Sequence, residues 1–242
     1  MGVPYRTSAF SREVKRRGRS AAISGENIIV SLGKGKKNIV VGAHLDAAPD
    51  SPGANDNGGG VAVILGLIRA MKDERWNYRI DLCFFDQEEE GFLGSAEFVR
   101  TYKDSLAHLA MINLDIEGTG EEVYVGPVGE GDDDVLMPIV RQAAAKTGLS
   151  FKEHPLYPPS DHLSFADRKL ENISISIVPK GDVELLVETV LRGMEPDASR
   201  MPEILKVMHT PEDKSAYVSP RALKMSFDFT RTLLVLLNES NL

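Results

Sequence analysis

Two histidines and several carboxylates stand where the reactive groups of a sheet protein gather. The apolar run 38–43 is followed by His44-Leu45-Asp46, the run 79–85 by Asp86-Gln87-Glu88-Glu89-Glu90, and the run 109–114 by Asp115. Asp56 lies just ahead of the helix predicted after the first run, and His209 comes late, in MHTPED, after an apolar-rich segment. In open α/β sheets, ligands bind beyond the carboxyl ends of the strands. Imidazoles and carboxylates converging there form a donor set for zinc or a similar divalent cation. With two cations, one carboxylate must bridge them, and the apparatus becomes that of a two-metal hydrolase. Each part alone has a plainer reading. A lone histidine at a strand end is usually a hydrogen-bonded structural residue. A run such as Glu88-Glu89-Glu90 is usually a solvated face, and ANDNGGG could be only a turn that caps a helix. Their recurrence at successive strand ends carries the argument.

The elements that must position these groups alternate between strand-like and helix-like segments, the pattern of a sheet covered on both faces. Residues 8–18 read as a short basic helix ended by Gly18, and 27–32 and 38–43 as strands separated by the turn-rich GKGKK. The second of these is apolar throughout, as expected of a doubly covered strand. A loop dense in Pro, Gly, Asp and Asn leads into VAVILGLIRAM, whose apolar spacing suits a buried helix. Strands are expected at 79–85, 109–114, 123–125 and 173–178, and helices at 94–105, 134–147 (ending at Gly148), 182–194 and 219–238. Neighbouring Glu88 and Glu89 are expected in an extended segment, where side chains diverge and can take different tasks. No repeat, low-complexity tract or linker interrupts the pattern. The expectation is one α/β domain over 1–242.

Composition narrows the class. Of 242 residues, 42% are hydrophobic and 26% charged, enough to build a core and unlike a disordered chain. No apolar run reaches the roughly 18 residues of a membrane helix. The net charge of −8 argues against a nucleic-acid partner. The N-terminus has basic residues but no apolar core before a small-residue site, so no signal peptide is expected. With Cys83 as the only cysteine, this points to the cytoplasm.

Six segments in order, GAHLD (42–46), GANDNGGG (53–60), QEEEGFLGS (87–95), NLDIEG (113–118), SDHLSF (160–165) and HTPED (209–213), resemble the co-catalytic zinc aminopeptidases. That group includes bacterial leucyl aminopeptidases and aminopeptidase Y, with glutamate carboxypeptidase and glutaminyl cyclase as more distant kin. The resemblance implies a three-layer α/β/α sandwich around a central mixed, mostly parallel sheet. It also implies two divalent ions, zinc first, with cobalt or manganese as alternatives. His44 and Asp115 would hold one ion, Glu89 and His209 the other, and Asp56 would bridge them. Glu88 would act as general base toward a water shared by the ions and then as general acid, and Asp46 would orient the His44 ring from behind. Asp161 and His162 would support a substrate pocket that Tyr157 reaches from its loop. The substrates implied are peptides with a free N-terminus, cleaved one residue at a time.

The match has departures. Several relatives carry a tyrosine before the HT motif, where this chain has Met208, so oxyanion help must come from elsewhere or from metal alone. An insert at about 180–206 carries the amphipathic helix and could be a pocket wall, a lid, a homo-oligomer contact or simple packing. Two other functions are kept beside the aminopeptidase: a glutaminyl cyclase-like acyltransferase with one zinc, and a non-catalytic binding protein on the same scaffold. Near two, one or no metal ions per chain would separate the three.

Overall fold

The computed structural model describes residues 2–16, 19–102, 107–128, 135–168, 170–193 and 201–240. Its strands are β1 (Arg6–Arg16), β2 (Arg19–Leu32), β3 (Lys37–His44), β4 (Arg79–Phe85), β5 (Ala107–Leu114), β6 (Glu122–Gly126), β7 (Phe151–Glu153) and β8 (Asn172–Val178). Its helices are α1 (Gly58–Met71), α2 (Leu93–Tyr102), α3 (Met137–Thr147), α4 (His162–Ala166), α5 (Asp182–Leu191), α6 (Glu203–Val207) and α7 (Pro220–Glu239). All eight strands join one sheet in the order β1-β2-β4-β3-β5-β8-β6-β7. The centre is parallel, β4 with β3, β3 with β5 and β5 with β8. Antiparallel pairings of β2 with β4 and of β6 with β8 flank it, giving the expected mixed, mostly parallel sheet.

Strand periodicity of two sorts the core into two layers. Ile39, Val41 and Ala43 of β3 and Ile80, Leu82 and Phe84 of β4 face α1, α3 and α7, where Ile64, Leu67, Val140, Phe229 and Leu233 are buried with them. Val40, Cys83 and Phe85 point the other way, onto Phe98 of α2 and Phe165 of α4. Cys83 is fully buried, and burial pushes its thiol well above its usual pKa, so it is inert packing. Leu67 is wholly buried between α1 and the sheet. Leu67→Ala is therefore expected to cost about 2–5 kcal/mol, seen as a lower urea midpoint at unchanged slope.

One expected element is wrong in kind. The helix expected over 8–18 is not formed by its described part, 8–16: β1 runs Arg6–Arg16 and pairs with β2 from Arg6↔Ile29 to Arg16↔Arg19. Gly18, the expected stop, lies outside the described residues. Phe10, Arg12 and Val14 alternate with more exposed neighbours, a period of two that suits a strand. Arg12 pairs with Glu97 of α2 at 3.1 Å and fastens the ribbon to the helix layer. Cross-strand pairing and this anchor outweigh local propensity. The strand expected at 27–32 begins eight residues earlier, at Arg19, and β7, α4 and α6 were not expected; the remaining expected elements fall within a few residues of their bounds. The ends of the helices expected at 94–105 and 182–194 run into residues 103–106 and 194–200, and the start of that expected at 134–147 falls on 134, all outside the described residues.

Candidate functional site

Because β4, β3 and β5 run parallel and side by side, their carboxyl ends open on one edge of the sheet. His44 is the last residue of β3, and Asp115 directly follows β5. Asp56 is held by the start of α1. There Asn57 accepts the Gly60 N–H at 3.1 Å and donates to the Leu114 carbonyl at 2.8 Å, sewing the helix end to the end of β5. Gly60 allows this approach, since a Cβ there would lie 2.9 Å from the Leu114 oxygen and 3.0 Å from the Ala43 Cβ. Glu88 and Glu89 do not lie in an extended segment, contrary to expectation. Gln87 takes φ 63°, and the Gly91 and Phe92 N–H groups both return to the Glu88 carbonyl, closing a turn. That turn, and not strand alternation, separates the two glutamates. His209 also has a left-handed backbone, φ 59°, the kind of strain that surrounding contacts must hold in place.

The side chains converge. The two oxygens of Asp56 face different histidines: Oδ1 is 3.1 Å from His44 Nε2, and Oδ2 is 3.1 Å from His209 Nε2. Asp115 Oδ1 is 3.6 Å from His44 Nε2, and Glu89 Oε2 is 3.2 Å from His209 Nε2. Two clusters of donors, His44 with Glu88 and Asp115 and Asp56 with Glu89 and His209, each fall within 4.8 Å of one another. Glu89 Oε1 and Asp115 Oδ1 are buried without a hydrogen-bond partner. Buried carboxylate oxygens demand a donor or a counter-charge, and in an all-imidazole and carboxylate set a divalent cation of the zinc type fits.

Behind these groups sits a ring of carboxylates that hold backbone. Asp46 contacts His44 Nδ1, through its carbonyl at 3.0 Å and Oδ1 at 3.5 Å. Its two oxygens also accept the Glu88 and Glu89 N–H groups at 2.9 and 3.0 Å. Glu117 accepts the Asp115 N–H at 3.1 Å. Asp213 accepts the N–H groups of Asn55 and Asp56 at 2.8 and 3.0 Å. Sequence reasoning missed Glu117 and Asp213. Both lie inside motifs that were noticed, NLDIEG and HTPED, but nothing in a linear string tells an anchoring acid from a solvated one.

The electrostatics follow from burial and crowding. Burial lowers the His44 pKa, but Asp115, Asp46 and Asp56 outweigh it and hold the imidazole well above its usual value. Asp56 raises His209 against a smaller effect of burial. Burial opposes ionisation of Asp56, yet His209 and His44 hold its carboxyl well below the usual range. Glu88 is pushed up to about 10, by burial first and then by Asp115, Asp161 and Glu89, with His44 pulling it down. A nearby cation favours the ionised form of such a group.

The cluster floors a cavity of about 320 Å3. Its walls include Ile116, Tyr157, Leu186, Val190, Leu205 and Met208, so α5 and α6 of the insert contribute to it. Tyr157 reaches the cavity, while its hydroxyl pairs with the Ser176 hydroxyl and its ring stacks on Tyr124 at 4.9 Å. Asp161 and His162 do not line the cavity among the described residues and are buried. Burial, with Asp115 and Asp46, raises Asp161 to about 7 against His44 and Ser95, and burial lowers His162 to about 4. Ser160, Asp161 and His162 form no nucleophilic triad: Ser160 accepts a hydrogen bond from Asn113 instead.

Comparison with known proteins agrees with this fold. Aminopeptidase YwaD of Bacillus subtilis is 30% identical over 196 residues, 78% of this chain and 39% of that protein. The structure of BSAP, a zinc aminopeptidase from Bacillus subtilis, superposes with a TM-score of 0.68 at 28% identity, covering 90% of this chain and 51% of that one. An Acidobacteriales bacterium glutaminyl cyclase shares the fold, with a TM-score of 0.69 at 20% identity over 97% of this chain and 80% of its own. The chain spans about two fifths of YwaD and half of BSAP. The sequence profile of peptidase family M28 matches residues 27–234, and the chain belongs to that family.

Proposed function

We propose that this chain is a metal-dependent aminopeptidase that removes N-terminal residues from peptides, using two divalent ions, zinc in the first instance. The observation that carries the reading is Asp56, whose two oxygens lie 3.1 Å from the Nε2 atoms of His44 and His209, as a bridging carboxylate requires. His44 and Asp115 would complete one site, and Glu89 and His209 the other. Held there, the ions would supply Lewis acidity toward a water nucleophile and the scissile carbonyl. Glu88 lines the cavity floor beside His44 and Asp115, and would take a proton from the water and then deliver it to the leaving amine. Asp46 fixes the His44 ring and the Glu88–Glu89 turn together, which keeps base and ligand in register. The carboxylates around the floor favour the cationic amino terminus of a peptide. Tyr157 is a wall of the pocket, with Asp161 and His162 bracing its floor from behind.

The walls above that floor are apolar. Ile116, Leu186, Val190, Leu205 and Met208 present no charge to a side chain entering from the cluster, so the N-terminal residue favoured is apolar. The test is hydrolysis of aminoacyl-p-nitroanilides by protein dialysed into zinc, cobalt or manganese, each beside its N-acetylated twin. Cleavage confined to free amines is expected, with leucyl and methionyl substrates preferred over aspartyl and arginyl by about tenfold or more in kcat/KM. A highest rate on arginyl substrate would overturn the pocket reading. Cyclisation of an N-terminal glutaminyl peptide without hydrolysis would replace the peptidase reading by the cyclase one.

A further inference from the structure

We infer that Asp213 is a positioning residue that sets the bridging carboxylate of Asp56, and so governs both metal sites together; this rests on the two-ion reading above. Asp213 is fully buried and is not itself among the residues that line the cavity. Its carboxylate is spent on backbone. Oδ1 accepts the Asn55 N–H at 2.8 Å and Oδ2 the Asp56 N–H at 3.0 Å, while its own carbonyl accepts the Ala54 N–H at 3.1 Å. Three consecutive amides of the Asp56 loop are thus held by one residue. The same residue closes the histidine loop, because its N–H returns to the Thr210 carbonyl at 3.2 Å. It therefore ties the segment bearing His209, with its left-handed backbone, to the segment bearing Asp56.

The arrangement is the counterpart of Asp46. One acid two residues after His44 holds the consecutive amides of Glu88 and Glu89, and another four residues after His209 holds those of Asn55 and Asp56. In each case a loop carrying a histidine supplies the carboxylate that fixes a loop carrying an acid. A carboxylate is the side chain for this task, since it offers two acceptors and no donor. An asparagine amide keeps the shape but offers one acceptor, and its NH2 would face the other N–H. The Asp56 loop would then shift, and because Asp56 faces both histidines, the shift would reach both sites.

The experiment is a competition titration of metal-stripped protein with zinc against a chromophoric chelator, with a thermal melt of the metal-free form alongside. Wild type is expected to bind two ions. Asp213→Asn is expected to raise both dissociation constants by about 10–100-fold, whereas His209→Ala should weaken one ion far more than the other. A merely structural role would lower the metal-free melting temperature of Asp213→Asn and leave both constants at wild-type values, which overturns the inference. Weakening of a single ion overturns it too, since Asp213 would then act on His209 alone. If Asp213→Asn does not fold, Asp213→Glu, which keeps two acceptors on a side chain one methylene longer, is read by the same criterion. Failure of wild type to bind two ions would instead remove the two-ion reading itself, and this inference with it.

Discussion

Glu88→Gln is expected to lower kcat by about 10²–10⁴-fold on free-amine substrates, with KM and metal content little changed. The substitution keeps the size of the side chain and removes only its capacity to take and return a proton. Glu88 lies at the cavity floor, surrounded by the groups proposed to hold metal, and its N–H is fixed by Asp46 at 2.9 Å. The backbone anchor survives the substitution, so the turn that aims Glu89 is retained. Single-turnover rates with metal analysis on the same samples separate the outcomes. A variant that loses metal with its activity would make Glu88 a ligand, and one that stays active would send the search for the base elsewhere.

Chelation is expected to abolish hydrolysis and to lower the melting temperature by about 5–10 °C. Binding to the native state alone contributes about 2.7 kcal/mol at a hundredfold excess over Kd, and each kcal/mol moves a chain of this size by about 2–4 °C. The direction follows from crowding. Asp46, Asp56, Glu88, Glu89, Asp115 and Asp161 gather about two histidines, and burial, with repulsion from neighbouring carboxylates added to it, raises Glu88 and Asp161. Readdition of zinc should restore both quantities. Unchanged melting on chelation, measured by calorimetry, would show that the acid cluster needs no cation.

What was legible in the sequence was the part that short-range rules govern. Apolar runs of strand length, each closed by a polar group, located β3, β4 and β5, and the parallel sheet then brought His44, Asp115 and the Glu88–Glu89 pair to one edge. Gly148 ends α3 where the helix was expected to stop, and does so with a left-handed φ of 65°. Three things were out of reach because they depend on distant partners. β1 is a strand because β2 pairs with it, though its own residues favour a basic helix. The Glu88–Glu89 turn depends on the left-handed Gln87 and on an acid from another loop. The anchoring roles of Glu117 and Asp213 exist only once their burial is known. Spacing reveals donors, whereas the groups that aim them take their meaning from three-dimensional neighbours.

The division of the donors into two clusters has a consequence for the order in which the site comes into being. A chain is made from its N-terminus, and its segments can organise as they emerge. His44, Glu88 and Asp115 have all been synthesised just after β5 is complete, so the first cluster is whole in sequence well before His209 is made. Asp56 and Glu89 are present at the same stage but wait for His209, and the acid that steadies Asp56 arrives with it. A nascent chain thus carries one cluster well ahead of the other. A product truncated between α6 and His209 would keep every member of the first cluster and lose, in one cut, the last donor of the second and the anchor of the carboxylate proposed to join them.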